Sequence, residues 1–416
     1  MSDKVASESI AQQKQVLDNP VSIWAPLRSK LFLYFWICSF LSNLGTWIQD
    51  VAAGWVITHL NSSPLIISLL SFSGSLPILF FSIPSGYLAD KGYKRQLLLF
   101  AQILMFCSAG TLAYLVWQQL ITVPSLLLLA LLLGFGFALT NPAFQSVLTE
   151  IVPGNMQAQA VLVYYMGINI TRVVGPSIGG GLLSGFGPAA AFLVNSLSFL
   201  GLIIFFYRWP MPESLQINAI PKFDDSDWAP LFSLSNLRRW LEIFLVTFFA
   251  SAMWALYPSR GRIELELSSL EFGSLLGFFG LGACVSAFLS NKIMLPGKSD
   301  QSLAGSYLIY GIGMLILGFA PNYLFICVAM FLAGTGWLIL ATLMNMSSRQ
   351  MAGTSRLKST MLGVFLSVFY AGMALGAVSW GTLAKISSTT VALAVAGTGL
   401  GIFGFYKGIL KTLEAH

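Results

Sequence analysis

The sequence predicts an all-α integral membrane protein of twelve transmembrane helices in two pseudo-symmetric six-helix halves. Three observations carry that reading. Over 416 residues, 56% are hydrophobic, only 9% are charged and the mean hydropathy is +0.77, a combination foreign to soluble globular chains. Apolar runs long enough to span a bilayer recur twelve times. One long polar break, 209–239, divides those runs six and six.

The first half, 27–208, holds runs at roughly 30–58, 64–89, 96–118, 123–147, 158–184 and 188–207. The second, 240–408, holds runs at roughly 240–260, 270–291, 302–320, 322–346, 359–384 and 389–407. Residues 1–26 are polar, lack the apolar core and cleavage site of a signal peptide, and read as a cytoplasmic tail; 409–416 reads as a second one. The break carries Pro210, Pro212, Pro221 and Pro230 with the acids Asp224, Asp225 and Asp227, as expected of a solvated cytoplasmic linker.

The formal charge of +6 would suggest nucleic acid in a soluble chain. Here all 22 basic residues except Arg172, Arg260, Arg262 and Lys385 fall on segments that share a side with the N-terminus. The positive-inside rule therefore explains the charge and predicts both termini in the cytoplasm, with no nucleic-acid partner. Cys38, Cys107, Cys284 and Cys327 lie in the apolar runs without CxxC spacing and read as small buried hydrophobes. With two histidines and no nucleophile, metal or phosphate constellation, neither an enzyme nor a bound metal or cofactor is expected.

The fifth run places a charge inside an apolar segment: I-T-R-V-V-G-P-S-I-G-G-G, residues 170–181. An unpaired guanidinium in lipid costs at least a few kcal/mol, so Arg172 is expected to face protein or a watery path. Gly175 and Pro176 loosen a helix, and Gly179, Gly180 and Gly181 admit a close neighbour. Tyr165, Asn169 and Arg172 share a helical face. In the first run Asn43, Trp47, Asp50 and Gly54 form a polar stripe, and the depth of Asp50 matches that of Arg172 when both are counted from the outer ends. A pair between them reads either as a switch driven by proton or substrate or as a static strut. Asn141 and Gln145 stand one turn apart in the fourth run, where Asn141 before Pro142 either contacts substrate or satisfies backbone freed by the kink. Glu242 and Glu271 fall at span ends as interfacial acids, Arg260, Arg262, Glu264 and Glu266 read as a solvated outer cluster, and Trp254, Tyr257, Trp337 and Asn345 line a cavity, face lipid or pack between helices. A shift of 201 positions lays Gly175 on Gly376, Gly180 on Gly381 and Leu182 on Leu383, a faint internal repeat.

G-Y-L-A-D followed by Lys91, Lys94 and Arg95 after the second run, and G-P-S-I-G-G in the fifth, resemble the signature loop and antiporter motif of the major facilitator superfamily. The stretches S-N-L-G-T-W-I-Q-D-V-A-A-G-W, N-P-A-F-Q-S-V-L and A-F-L-V-N-S-L-S-F-L resemble its bacterial branch of enterobactin and macrolide exporters. That resemblance implies a monomeric alternating-access carrier in the bacterial inner membrane, in contact with lipid and a small-molecule substrate, and most simply a proton-coupled exporter of a siderophore or drug. An inward siderophore or metabolite carrier, a lysolipid flippase and, in another class, a non-transporting sensor share the fold. It assigns Gly86, Asp90, Lys94 and Arg95, with Arg356, to a cytoplasmic gate, and Gly175, Pro176, Gly179 and Gly180 to helix bending. Three departures stand out. Ala130 occupies the place of the usual fourth-span arginine ahead of Gly134, the loop glycine Gly92 sits one place early, and the second-half loop N-K-I-M-L-P-G-K-S-D-Q lacks the signature. Proton coupling then falls to Asp50.

Overall fold

The computed structural model describes residues 22–209, 233–293, 299–351 and 358–414. Twelve long helices occupy them. The first half contains α1 (Lys30–Leu60), α2 (Pro64–Leu88), α3 (Lys94–Trp117), α4 (Val123–Glu150), α5 (Gln157–Phe186) and α6 (Pro188–Arg208). The second contains α7 (Leu234–Pro258), α8 (Ser269–Ile293), α9 (Ser299–Phe319), α10 (Tyr323–Met351), α11 (Lys358–Ile386) and α12 (Thr389–Glu414). A run that crosses a bilayer must satisfy its own backbone, so apolar runs become helices and breaks fall where the sequence offers another conformation. Gly92, at φ 90°, makes the turn between α2 and α3, which explains why the signature loop carries its glycine there. Gly187, at φ 77°, and Pro188 separate α5 from α6, while Thr122 and Ser125 form a reciprocal cap at the start of α4.

Eleven of these helices are long and apolar enough to cross a membrane. The remaining one is α5, which contains Arg172 and the glycine motif. Two ends run beyond the expected spans. Ser233 caps α7 by accepting from the Asn236 amide, so the helix takes in residues 234–239 of the expected linker. Helix α12 continues through the helix-forming L-K-T-L-E to Glu414. Most of the linker, 210–232, and the tail 1–21 lie outside the described residues.

The two halves join through glycine contacts related by the faint repeat. On α5, Gly175 and Gly179 face α1 of their own half: an added Cβ would stand 2.7 Å from Trp47 Cβ and 3.1 Å from Ile48 Cα. Gly180 faces α8 of the other half, 3.1 Å from Gly273 Cα on the same measure. The matching residues on α11 do the same. Gly376 lies against Phe248 and Ser251 of α7 in its own half, and Gly381 against Ser68 and Leu65 of α2 in the other. Helices α5 and α11 are therefore equivalent wedges, each seated on the first helix of its own half and the second helix of the opposite one.

Along the α5–α8 contact, Gly273, Gly277 and Gly280 of α8 meet Gly180, Ser177 and the backbone at Arg172 and Val173. Pro176 has no N–H, so the Arg172 carbonyl lacks its usual intrahelical donor, and it faces Gly280. Helix α5 runs unbroken through Pro176, and the glycines of the motif supply its packing surface. Gly181, expected to help, has open space around it. Gly180→Val should force α5 off α8 and lose about 1–3 kcal/mol by overpacking. Melting of the detergent-solubilised protein checks this: Gly180→Val should melt several degrees below the parent and Gly181→Ala should match it.

Candidate functional site

From Trp47 onward one face of α1 looks into the second half. The Trp47 ring lies 6.5 Å from that of Trp254 on α7. Two turns along, an added Cβ at Gly54 would reach Phe272 of α8 at 3.3 Å and the Tyr257 hydroxyl at 3.4 Å. Between these contacts Asp50 is exposed although it faces the opposite half, so its carboxylate opens onto a space between the halves. It makes no hydrogen bond or ion pair with the described residues. Tyr257 and Tyr370 are the groups within its electrostatic reach.

Arg172 does not pair with Asp50, contrary to the sequence expectation. The seating of Gly175 on Trp47 and of Gly179 on Ile48 fixes the register of α1 on α5. That register puts Arg172 some six residues, about 9 Å along the axis at 1.5 Å per residue, from the level of Asp50. Counting from the outer ends failed because the ends are not level: with Gly175 on Trp47, Phe186 at the end of α5 stands near Thr58, short of Leu60 at the end of α1. The guanidinium instead lies over Trp47, with Cζ 5.7 Å from the ring centroid. Its Nε and Nη1 are buried and have no hydrogen-bond partner among the described residues. Cys284 of α8 and Tyr370 of α11 lie within its electrostatic reach. Tyr370 thus reaches both charges and Cys284 reaches Arg172, and no sequence spacing indicates either.

Behind Trp254 an aromatic wall continues through the second half. Trp254 meets Phe279 at 4.9 Å and Trp337 at 5.7 Å; Trp337 meets Phe369 at 5.7 Å, and Phe369 meets Tyr370 at 5.4 Å. Trp254 and Trp337 thus pack between helices of the second half, one of the readings the sequence offered. The Nε1 of Trp254 is buried without a partner among the described residues.

The other expected site residues divide. Near Asn43 the same face of α1 lies against α5, where the Asn43 side chain bonds Tyr164 and donates to the Ser39 carbonyl at 2.9 Å. Asn43 and Asn141 line a cavity of about 90 Å³ inside the first half with Ser42, Thr46, Gln102 and Thr140, away from Arg172. Tyr165 is exposed against Tyr164, and Asn169 is half-buried with its carbonyl 3.9 Å from Cys284 Sγ. The side chains of Gln145 and Asp90, and all of Arg356, lie outside the described residues. Gly86 is buried in the last turn of α2. Lys94 pairs with Glu150 at the end of α4, and Arg95 donates from Nε to the Phe206 carbonyl at 2.8 Å and from Nη2 to that of Tyr207 at the end of α6. These two cations tie three helix ends of one half together, where a cation meets the negative end of the helix dipole.

Two clusters expected to be merely interfacial or solvated are built into the fold. Glu242 is half-buried, accepts from the Tyr307 hydroxyl at 2.8 Å and pairs with Lys407, joining α7, α9 and α12. Arg260 pairs with Glu264 and donates to the carbonyls of Leu317 and Ala320 at 3.2 and 2.8 Å, closing the end of α9. Arg262 lies 4.4 Å over Trp55 of α1 and bonds the ring nitrogen Nε2 of His59 at 3.4 Å, so the halves are clasped on the face opposite the chain ends. A buried bond from Asn195 Nδ2 to Gln49 Oε1, 2.7 Å, ties α6 to α1.

The model of the transmembrane secretion effector family matches residues 21–415. The chain belongs to that family, within the major facilitator superfamily. It is a multi-pass membrane transporter and not an enzyme. The staphyloferrin A transporter of Staphylococcus aureus is 25% identical over 71% of this chain and 76% of its own length. The enterobactin exporter of Citrobacter koseri is 28% identical over 78% of each, and the multidrug efflux pump Tap of Mycolicibacterium fortuitum is 22% identical over 90% and 94%. Among solved structures, a POT family transporter bound to a thioalcohol-conjugated peptide superposes with a TM-score of 0.73 at 12% identity, over 92% of this chain and 96% of its own. The nucleoside transporter NupG gives 0.69 at 13% over 91% and 99%. At such identities these show a shared fold.

Two experiments test the wiring of this transporter. Lys94→Glu and Glu150→Lys should each lower the melting temperature, and the double charge swap should recover most of the loss; a double variant worse than either single one would show that the ends are not paired. In a cysteine-free background carrying Asp50→Cys, Arg262→Ala should raise maleimide labelling from the far face several-fold, and an unchanged rate would show that Arg262 does not hold that face closed.

Proposed function

We propose that this carrier is a proton-driven exporter of an amphipathic small molecule of the siderophore or drug class. It works by alternating access in a bacterial inner membrane with both chain ends cytoplasmic. The observation that carries the coupling assignment is Asp50, an acid without a partner among the described residues that opens onto the space between the halves. Ala130 leaves the fourth helix without the usual arginine, so Asp50 is the acid best placed to take up a proton from one side and release it to the other. The aromatic wall facing it offers apolar area with few fixed hydrogen bonds, suited to flat amphipathic cargo. Export is supported by the efflux and exporter descriptions of the relatives, and cytoplasmic chain ends by the basic residues gathered beside them. In this reading Asp90, in the turn after α2, holds the cytoplasmic side shut by docking at the start of α11.

In inside-out vesicles an imposed pH gradient should drive uptake of a fluorescent cargo by the parent, and Asp50→Asn should cut that rate at least tenfold while leaving the amount of membrane protein unchanged. Gradient-driven uptake by Asp50→Asn at the parent rate would remove the coupling role. Uptake only in right-side-out vesicles would reverse the direction.

A further inference from the structure

We propose that the cleft binds its cargo through an anionic group of the carboxylate class held by Arg172, with the attached flat ring against Trp47 and Trp254. This rests on the carrier reading only in taking the cleft for the cargo's path. Three buried donors on groups that flank Trp47 have no acceptors among the described residues: Nε and Nη1 of Arg172 and Nε1 of Trp254. They are linked through Trp47, whose ring is 5.7 Å from the guanidinium carbon and 6.5 Å from the Trp254 ring. Buried donors normally find acceptors, and each of the two Arg172 nitrogens shares a guanidinium edge with Nη2, Nε on one side and Nη1 on the other, either edge being a planar fork matched to two oxygens of one carboxylate.

The usual ways of satisfying an intramembrane arginine are unused. Asp50 lies about 9 Å along the axis and does not pair with it, and the three ion pairs among the described residues all lie elsewhere. The neighbours on the second half, Cys284 and Tyr370, are ordinarily neutral, so no protein anion neutralises the charge. The face of Trp47 is occupied by the cation but satisfies none of its N–H groups. An incoming acceptor-rich anion supplies what the protein leaves out, and the indoles supply area for a ring. A cationic cargo meets the opposite situation, because Arg172 repels it where the walls come together.

The test uses a matched pair of probes with one ring and opposite charge, 2-naphthoate and 2-naphthylmethylammonium, titrated calorimetrically into the full-length protein in detergent. The parent should bind the carboxylate at least tenfold tighter than the amine. Arg172→Gln should weaken naphthoate at least tenfold and erase the preference, without lowering the melting temperature, because shedding a buried charge with no counter-ion offsets the loss of its contact with the Trp47 ring. Arg172→Lys should keep the preference, and Trp254→Phe, which deletes one donor and keeps a ring, should weaken naphthoate several-fold. Equal or tighter amine binding, no measurable naphthoate binding by the folded parent, or a preference that survives Arg172→Gln would each overturn the proposal. Should Arg172→Gln fail to fold, an unchanged naphthoate affinity in Trp254→Phe would do so. Binding is blind to direction and driving force, so loss of gradient-driven export with the anion preference intact would sink the exporter reading alone.

Discussion

The near-contact of backbones at α5–α8 and α2–α11 is the constraint on which the rest of this molecule depends. In a bilayer no hydrophobic effect drives one apolar helix onto another, so association relies on close packing and on the absence of side chains where backbones meet. Gly180 against Gly273 on one side and Gly381 against Ser68 on the other meet that condition at symmetric places. Because each wedge also sits on the first helix of its own half, a rotation of one half against the other must slide both wedges together. The joint is therefore both the fastening and the bearing.

The same joint determines what the charged groups are able to do. Gly175 seated on Trp47 presses the indole under Arg172, while Gly179 on Ile48 leaves Asp50 farther along and turned to the cleft. An ion pair between them would have neutralised both charges and made a strut. Held apart, one charge is free to meet protons and the other to meet an acceptor. Nearer the chain ends, Lys94 and Arg95 bind helix ends within a half, tying α3, α4 and α6 into one unit. On the opposite face, Arg262 clasps Trp55 and His59 across the halves.

Much of this was legible in the sequence, and its limits have physical causes. Helix number and most ends followed from apolar run length, because the bilayer allows few alternatives to a helix; α7 and α12 ran long where a serine cap and a helix-forming tail extended them. The match of Gly175 and Gly180 with Gly376 and Gly381 looked faint as letters, yet it located both wedges. The α8 glycines at 273, 277 and 280 carry the small-residue spacing of a packing face and were open to the same reading. Side-chain partners were not. Whether Arg172 meets Asp50 depends on the axial register of two helices, and a shift of six residues is invisible to depth counted from uncertain ends. Glu242 with Tyr307 and Lys407, and Arg262 with Trp55, join positions far apart in the chain whose spacing carries no signal.

The register also explains why a helix this polar is retained. Helix α5 is less apolar than the eleven helices that qualify as membrane spans, and the difference comes from residues that make contacts: three glycines, a proline and an arginine within eleven positions, 170–180. Replacing the glycines with leucine would make the helix a better membrane segment and a worse wedge. Replacing Arg172 with an apolar residue would leave Trp47 and Gly175 their packing, since Nε and Nη1 hold nothing in place. The glycines are thus required by the architecture, whereas the guanidinium is not. A buried charge that the architecture does not need, kept against a cost of at least a few kcal/mol in lipid, is explained by what it meets in the cleft.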